Sequence, residues 1–158
     1  MGKKKIPIIY FIMFALLSFL QANFVRAQER VELKAIFPNA DALSIYEIEF
    51  SLNDTLKATS EFKVTFPEAF DLSKVKIAGS STINGGFSVK VAESTVILKR
   101  SGRGTDVLPG NTVDVKFANV KNPATPDATH KIKIEILNPN RRTIEKELEL
   151  KIQAPKEK

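Results

Sequence analysis

The residues able to do chemistry are few and poorly grouped. The only histidine is His130. A lone imidazole cannot build a histidine metal cluster, and no H-E-x-x-H spacing is present. Its position just before an alternating apolar run reads as surface or loop. There is no G-x-S-x-G elbow to expose a serine nucleophile. Ser101-Gly102-Arg103-Gly104 is glycine-rich, but no helical pattern follows it to offer an N-terminus to a phosphate. Serines and lysines are abundant, so a serine–lysine dyad stays open as a nucleophilic arrangement, although nothing selects a pair. Glu47 and Glu49, and likewise Glu145, Glu147 and Glu149, alternate within single runs and share one wet face. A glycosidase instead needs two carboxylates facing each other across a cleft. Alternating acids of this kind read as solvated charges that discourage edge aggregation. Asp106, Asp114 and Asp127 lack the spacing of a calcium-binding loop. The chain has no cysteine, which excludes disulfides, thiolate metal sites and a cysteine nucleophile. No tryptophan is present, and Tyr46 is the one tyrosine beyond residue 27, so an aromatic sugar platform is disfavoured. No cofactor is expected.

The elements that would position these residues are strands. Tyr46, Ile48, Phe50 and Leu52 fall at every second position, with Glu47, Glu49 and Ser51 between them. After a polar break at Asn53-Asp54-Thr55 the pattern restarts with Phe62, Val64 and Phe66. Side chains alternate faces along a strand, so each run has one apolar and one wet face. Pro67 cannot donate a ladder hydrogen bond and ends the second run, and Phe70 is placed to fold back over the end of the core. Before these, Val31, Leu33, Ala35 and Phe37 alternate with Glu32, Lys34 and Ile36. After them come Val75 and Ile77, then Phe87, Val89 and Val91, then Val96-Ile97-Leu98. Val113, Val115 and Phe117 follow, and then Ile132, Ile134 and Ile136. Gly85-Gly86, Pro109-Gly110, Asn122-Pro123, Thr125-Pro126 and Asn138-Pro139 punctuate the series. The last segment, 144–152, suits a helix by composition and a strand by spacing; Leu148, Leu150 and Ile152 alternating with charged residues favour a strand.

Residues 1–27 have the parts of a secretory signal. Lys3, Lys4 and Lys5 precede an apolar run from Ile6 to Leu20, and Val25-Arg26-Ala27 supplies a small-x-small cleavage site. That run is too short to span a bilayer comfortably. Removing it takes away four cations and no acid, so the net charge falls from +6 to +2. A basic nucleic-acid or membrane footprint is therefore not expected. The expected organisation is a signal peptide over 1–27, one β-sandwich domain over 28–153, and a disordered tail over 154–158.

Eight or nine short strands separated by turn signals predict an all-β, antiparallel sandwich, with a closed barrel as the structural competitor. Its predicted core holds Tyr46, Ile48, Phe50, Phe62, Val64, Phe66, Phe87, Val89, Val113, Val115, Phe117, Ile132, Ile134 and Ile136. Three stretches, Tyr46–Phe50, Phe62–Ser73 and Leu108–Pro123, resemble immunoglobulin-like β-sandwich modules of secreted and cell-surface prokaryotic proteins. The resemblance spans about Val31 to Ile136 and rests on the alternating strands, the Phe-Pro after one and the Asn-Pro after another. It implies an extracytoplasmic, non-catalytic structural or binding module.

Two functional readings follow. The favoured one is an exported, non-enzymatic module, secreted or periplasmic, that binds a protein or assembles at the cell surface. The alternative is a small secreted hydrolase with a serine–lysine or carboxylate-pair site. For the first reading the candidate partner contact is the long segment 99–111, where Lys99, Arg100 and Arg103 sit among three glycines and make it both basic and able to move. A second route is self-association, with an edge strand near the C-terminus completing a neighbour's sheet.

Overall fold

The computed structural model describes residues 30–139 and 141–155. The expected signal segment, 1–27, and the last part of the expected tail, 156–158, lie outside the described residues. Among the described residues there is no helix, and nine strands build two sheets. They are β1 (Val31–Ala35), β2 (Leu43–Ser51), β3 (Glu61–Thr65), β4 (Ile77–Gly79), β5 (Phe87–Ala92), β6 (Thr95–Arg100), β7 (Thr112–Lys121), β8 (Thr129–Asn138) and β9 (Arg141–Lys151). One sheet runs β1-β2-β7-β4 and the other β5-β6-β3-β8-β9, with every neighbour antiparallel. The chain is thus a sandwich, not a closed barrel. The ambiguous last segment forms the strand β9, with Ile144 and Leu150 buried in it and Ile152 buried just past its end.

The core lies where the alternation predicts. Tyr46, Ile48, Phe62, Val64, Val113, Val115, Ile132, Ile134 and Ile136 are fully buried, and Phe50, Phe66 and Phe117 nearly so. Each such aliphatic side chain contributes roughly 1.5–3 kcal/mol of burial free energy. Phe87 and Val89 are only half-buried, because β5 is an edge strand and its inward side has fewer neighbours. Phe70 does close one end of the core: its ring meets Phe66 at 5.1 Å and His130 at 5.1 Å. His130 therefore belongs to a strand and to the core margin, not to a loop.

Two asparagines pin the loops at opposite ends. Asn122, 2% exposed, accepts the Tyr46 hydroxyl at 2.7 Å and donates to the carbonyls of Phe37 and Asn39, each at 2.8 Å. Asn138 accepts from the Ser60 hydroxyl at 2.6 Å and the Lys57 amide at 3.1 Å, and donates to the Thr55 carbonyl at 2.8 Å. Both precede a proline that ends the strand, so each amide is free to serve neighbouring backbone instead of a ladder. Near the C-terminus, the Gln153 carbonyl receives the Ala40 amide at 2.9 Å and the Ala154 carbonyl receives the Asn39 side chain at 2.7 Å.

Candidate functional site

The loops at one end of the sandwich contain the segment 99–111. Lys99 is exposed on the outer face of β6, opposite Glu61 and Ser88. Arg103 is exposed in the loop that follows. Arg100 corrects the expectation: it is only 2% exposed and is not available to a partner. It continues the inward parity of Val96 and Leu98, and its guanidinium donates to the carbonyls of Leu56 (3.2 Å), Lys57 (2.7 Å) and Thr105 (2.7 Å). Burial pulls its pKa down, against the weaker pull of nearby Asp106.

The loop itself is anchored along its length. Val107 and Leu56 exchange backbone hydrogen bonds, the Gly102 amide donates to the Ala58 carbonyl at 3.0 Å, and the Thr105 amide donates to Asn84 Oδ1 at 2.9 Å. Gly85, at φ +93°, lies directly against the backbone of Gly104, an approach that leaves no room for a Cβ. An open groove of about 490 Å³ runs beside this loop, lined by Asp54, Lys57, Asp106, Asn138 and Arg141 among others. Its charges already pair with one another: Lys57 meets Asp106 at 2.9 Å, and Arg141 is bonded to Asp54. Three of the acids singled out in the sequence are similarly engaged, Glu47 with Lys116, Glu145 with Lys133 and Glu147 with Lys131. The serine hydroxyls with defined partners at this end, Ser60 and Ser101, donate to carbonyls and Asn138. Among the described residues no group of three or more acidic or histidine side chains is placed to hold a metal.

Asp114 is the most heavily bonded acid. Its carboxylate receives the amides of Ser81 and Thr82 and the hydroxyls of Ser80, Ser81 and Thr82 at 2.7–3.2 Å, with Lys116 at 3.2 Å. Burial alone would raise its pKa, but the hydrogen bonds from Thr82, Ser81 and Lys116 outweigh burial and hold it well below the usual carboxylate range. This ties the β4–β5 loop to β7. A depressed folded-state pKa means that the stabilisation is present above the unfolded value near 3.8 and is lost as pH falls below it. Asp114→Ala is expected to cost about 2 kcal/mol at neutral pH. Urea titrations of both proteins at several pH values should show the difference shrinking under strong acid; a constant difference would contradict this role.

The surface that stands out is apolar. The outer face of the five-stranded sheet is laced with ion pairs, including Lys131–Glu147, Lys133–Glu145 and Lys63–Glu61. By contrast, one transverse row of the four-stranded sheet carries no charge. Ile36 donates its amide to the Ile45 carbonyl at 2.8 Å, Ile45 opposes Ala118, and Ala118 opposes Ile77. The row thus crosses β4, β7 and β2 and ends on Ile36, the residue that follows β1. Ile77 is 64% exposed, Leu43 in the adjoining position on β2 is 49%, and Ile36 is 46%. Asn119, at φ +70°, is skipped in the β2–β7 pairing; this bulge turns Val120 inward while leaving Ala118 outside.

Charged residues flank the row on both sides. Lys34, Glu47 and Lys116 are opposed on β1, β2 and β7 on one side. Lys121 and Asp71 exchange backbone hydrogen bonds on the other side, and Asp41 forms an ion pair with Lys121 at 3.2 Å. A shallow pocket of about 240 Å³ between Asp41, Leu43, Asp71, Lys74, Asn119 and Lys121 adjoins the row. Sequence reasoning missed this face. Its one local signal was Ile36, an isoleucine at a wet-face position.

No protein-family model and no curated protein sequence matches the chain. Solved structures do. A cohesin module from a Clostridium perfringens family 33 glycoside hydrolase superposes with a TM-score of 0.55 at 12% identity, covering 80% of this chain and 98% of that one. The N-terminal domain of the Streptococcus gordonii adhesin Sgo0707 gives 0.52 at 12% identity, covering 78% of this chain and 32% of that one. A Nocardia farcinica protein described as immunoglobulin-like gives 0.47 at 17% identity, covering 71% and 80%. The fold is accordingly a two-sheet antiparallel β-sandwich shared with the cohesin module and the adhesin domain.

Proposed function

We propose that this chain is an exported, non-catalytic β-sandwich module that makes protein–protein contacts at the cell surface or in the periplasm, using the outer face of the four-stranded sheet. The observation that carries the reading is the uncharged row Ile36–Ile45–Ala118–Ile77, with Leu43 beside it, on a molecule whose other broad face is covered by ion pairs. A contiguous exposed apolar patch with a charged rim is the composition of a protein-contact core, where a few desolvated side chains supply most of the affinity. The similarity to a cohesin module and an adhesin domain supports the class, since both are modules of larger bacterial proteins. The segment 99–111 fits a contact less well, because its backbone and Arg100 are committed to holding the loop.

The test is capture of partners from the organism's own envelope and secreted fractions on immobilised protein. Ile77→Asp is expected to abolish capture while leaving the fold intact, since the side chain is exposed. Lys99→Ser with Arg103→Ser is expected to leave it unchanged. Undiminished capture by Ile77→Asp would contradict the assignment. A panel of ester, peptide and glycoside reporters is expected to show no turnover; turnover abolished by a single serine or glutamate change would overturn the non-catalytic reading.

A further inference from the structure

We infer that the open edge of β9 is a second contact surface, which takes an extended segment of another protein as an added strand and selects it by an acid facing Lys146. The inference is independent of the apolar row. β9 ends the five-stranded sheet, with β8 on one side and no strand on the other. It is the longest of the four edge strands: β4 has three residues, β1 five and β5 six, against eleven.

Alternation along an antiparallel ladder fixes which peptide groups face outward. The Ile152 amide donates to the Ala128 carbonyl at 3.0 Å, so the even-numbered residues from Ile144 to Ile152 bond toward β8. The peptide groups of Glu145, Glu147, Glu149 and Lys151 therefore point to the open side. Gln153 continues that outward set, and there the edge is already occupied. Its amide donates to the Pro38 carbonyl at 2.8 Å, and its carbonyl accepts the Ala40 amide at 2.9 Å. The chain thus pairs a short stretch of its own with the end of this edge. Among the described residues, 145–151 have no backbone partner on that side.

The side chains set what fits there. Lys146 opposes Ile134, a fully buried residue, so it stands on the inward side of β9 between Ile144 and Leu148. An inward charge on an edge strand discourages an apolar strand from pairing. Among the described residues no acid pairs with Lys146: Glu145 and Glu147, on either side of it, hold Lys133, Arg142 and Lys131 instead. An added strand with Asp or Glu facing Lys146 lifts that penalty, and one with an apolar residue there does not. On the outward side, Glu145, Glu147 and Glu149 favour Lys or Arg on the same added strand. That row also rejects a second copy of this chain, because β9 laid against β9 with the faces matched sets acid against acid. The occupant is accordingly a segment of a different protein, basic on its outward side and apolar on its inward side except for one acid.

The probe is the synthetic peptide Thr-Val-Lys-Glu-Lys-Val-Arg, whose central Glu lies on its apolar side. It is titrated into the purified protein and followed by two-dimensional NMR and amide exchange. Saturable binding below about 1 mM is expected, with the amides of Glu147 and Glu149 becoming protected. Replacing the central Glu of the peptide by Val is expected to weaken binding about fivefold. Lys146→Glu should reverse the preference, so that a peptide with Lys at its centre binds better than the one with Glu. Glu147→Pro should abolish binding, because it removes an outward amide from an edge strand, a place where proline is tolerated. Ile77→Asp should leave peptide binding unchanged, which separates this edge from the apolar row. No saturable binding overturns the inference, as do equal affinities for the Glu and Val peptides. Binding that survives Glu147→Pro, or that is lost in Ile77→Asp, places the peptide elsewhere and also overturns it.

Discussion

Tyr46→Ala is expected to lower stability by about 3–5 kcal/mol, the cost of removing a large aromatic side chain from a packed core. Tyr46 is fully buried, and its ring meets Phe66 at 5.3 Å, Phe117 at 5.8 Å and Phe70 at 6.4 Å. It joins both sheets and the Phe70 plug in one aromatic cluster. Its hydroxyl is also committed to Asn122, and burial pushes the phenol pKa up, so it stays a neutral donor. Tyr46→Phe separates the two contributions: it keeps the ring and leaves the Asn122 carbonyl oxygen short of a donor, at a cost of about 1–3 kcal/mol. Urea unfolding monitored by far-UV circular dichroism reads both values. A Tyr46→Ala loss under 1 kcal/mol would contradict the central place given to this ring.

The second large effect falls on a residue that looks, by type, like surface. Arg100→Leu is expected to cost about 3 kcal/mol, because it removes charge-assisted bonds to three carbonyls. The figure is net of a gain, since the wild type holds a desolvated cation with no carboxylate bonded to it. Lys99→Ser and Arg103→Ser should each change stability by no more than about 0.5 kcal/mol. Urea midpoints at equal slope give the comparison directly. Equal effects at the three positions would mean that Arg100 is not the anchor of the loops around Leu56 and Thr105.

These two residues show how far the sequence could be read. Tyr46, Ile48 and Phe50 announced their burial by parity, and the same parity located β2, β3, β7 and β8. Arg100 obeyed that rule too, standing two and four residues after Leu98 and Val96, but its charge argued for the surface and the expectation followed the charge. The inward position wins because the carbonyls of Leu56 and Lys57, far away in sequence, converge on it together with that of nearby Thr105, and that convergence is invisible in a local pattern. Phe87 and Val89 were placed in the core by alternation, which does not distinguish an edge strand from a central one. Asn122 and Asn138 read as turn residues before prolines; their work as staples depends on Phe37, Asn39 and Thr55 arriving from elsewhere.

The apolar row is the clearest case of information held between strands. Ile36, Ile45, Ala118 and Ile77 come from four separate segments, and apart from Ile36 at its wet-face position each alone is an unremarkable apolar residue on a strand. Only the cross-strand register, including the bulge at Asn119, brings them into line. Fold class and strand positions were therefore legible from period-two patterning, whereas the candidate face required the pairing order β1-β2-β7-β4.

The most direct test compares two side chains of equal exposure at opposite ends of the molecule. Ile77 is 64% exposed on the proposed contact face, and Leu108 is 65% exposed in the loop before β7. Hydroxyl-radical footprinting of the dilute purified protein should label both. Repeated on intact cells displaying or secreting the protein, labelling of Ile77, Leu43 and Ile36 should fall several-fold while Leu108 stays reactive. Equal labelling of Ile77 in the two settings, or protection of Leu108 in its place, would contradict the assignment of this face.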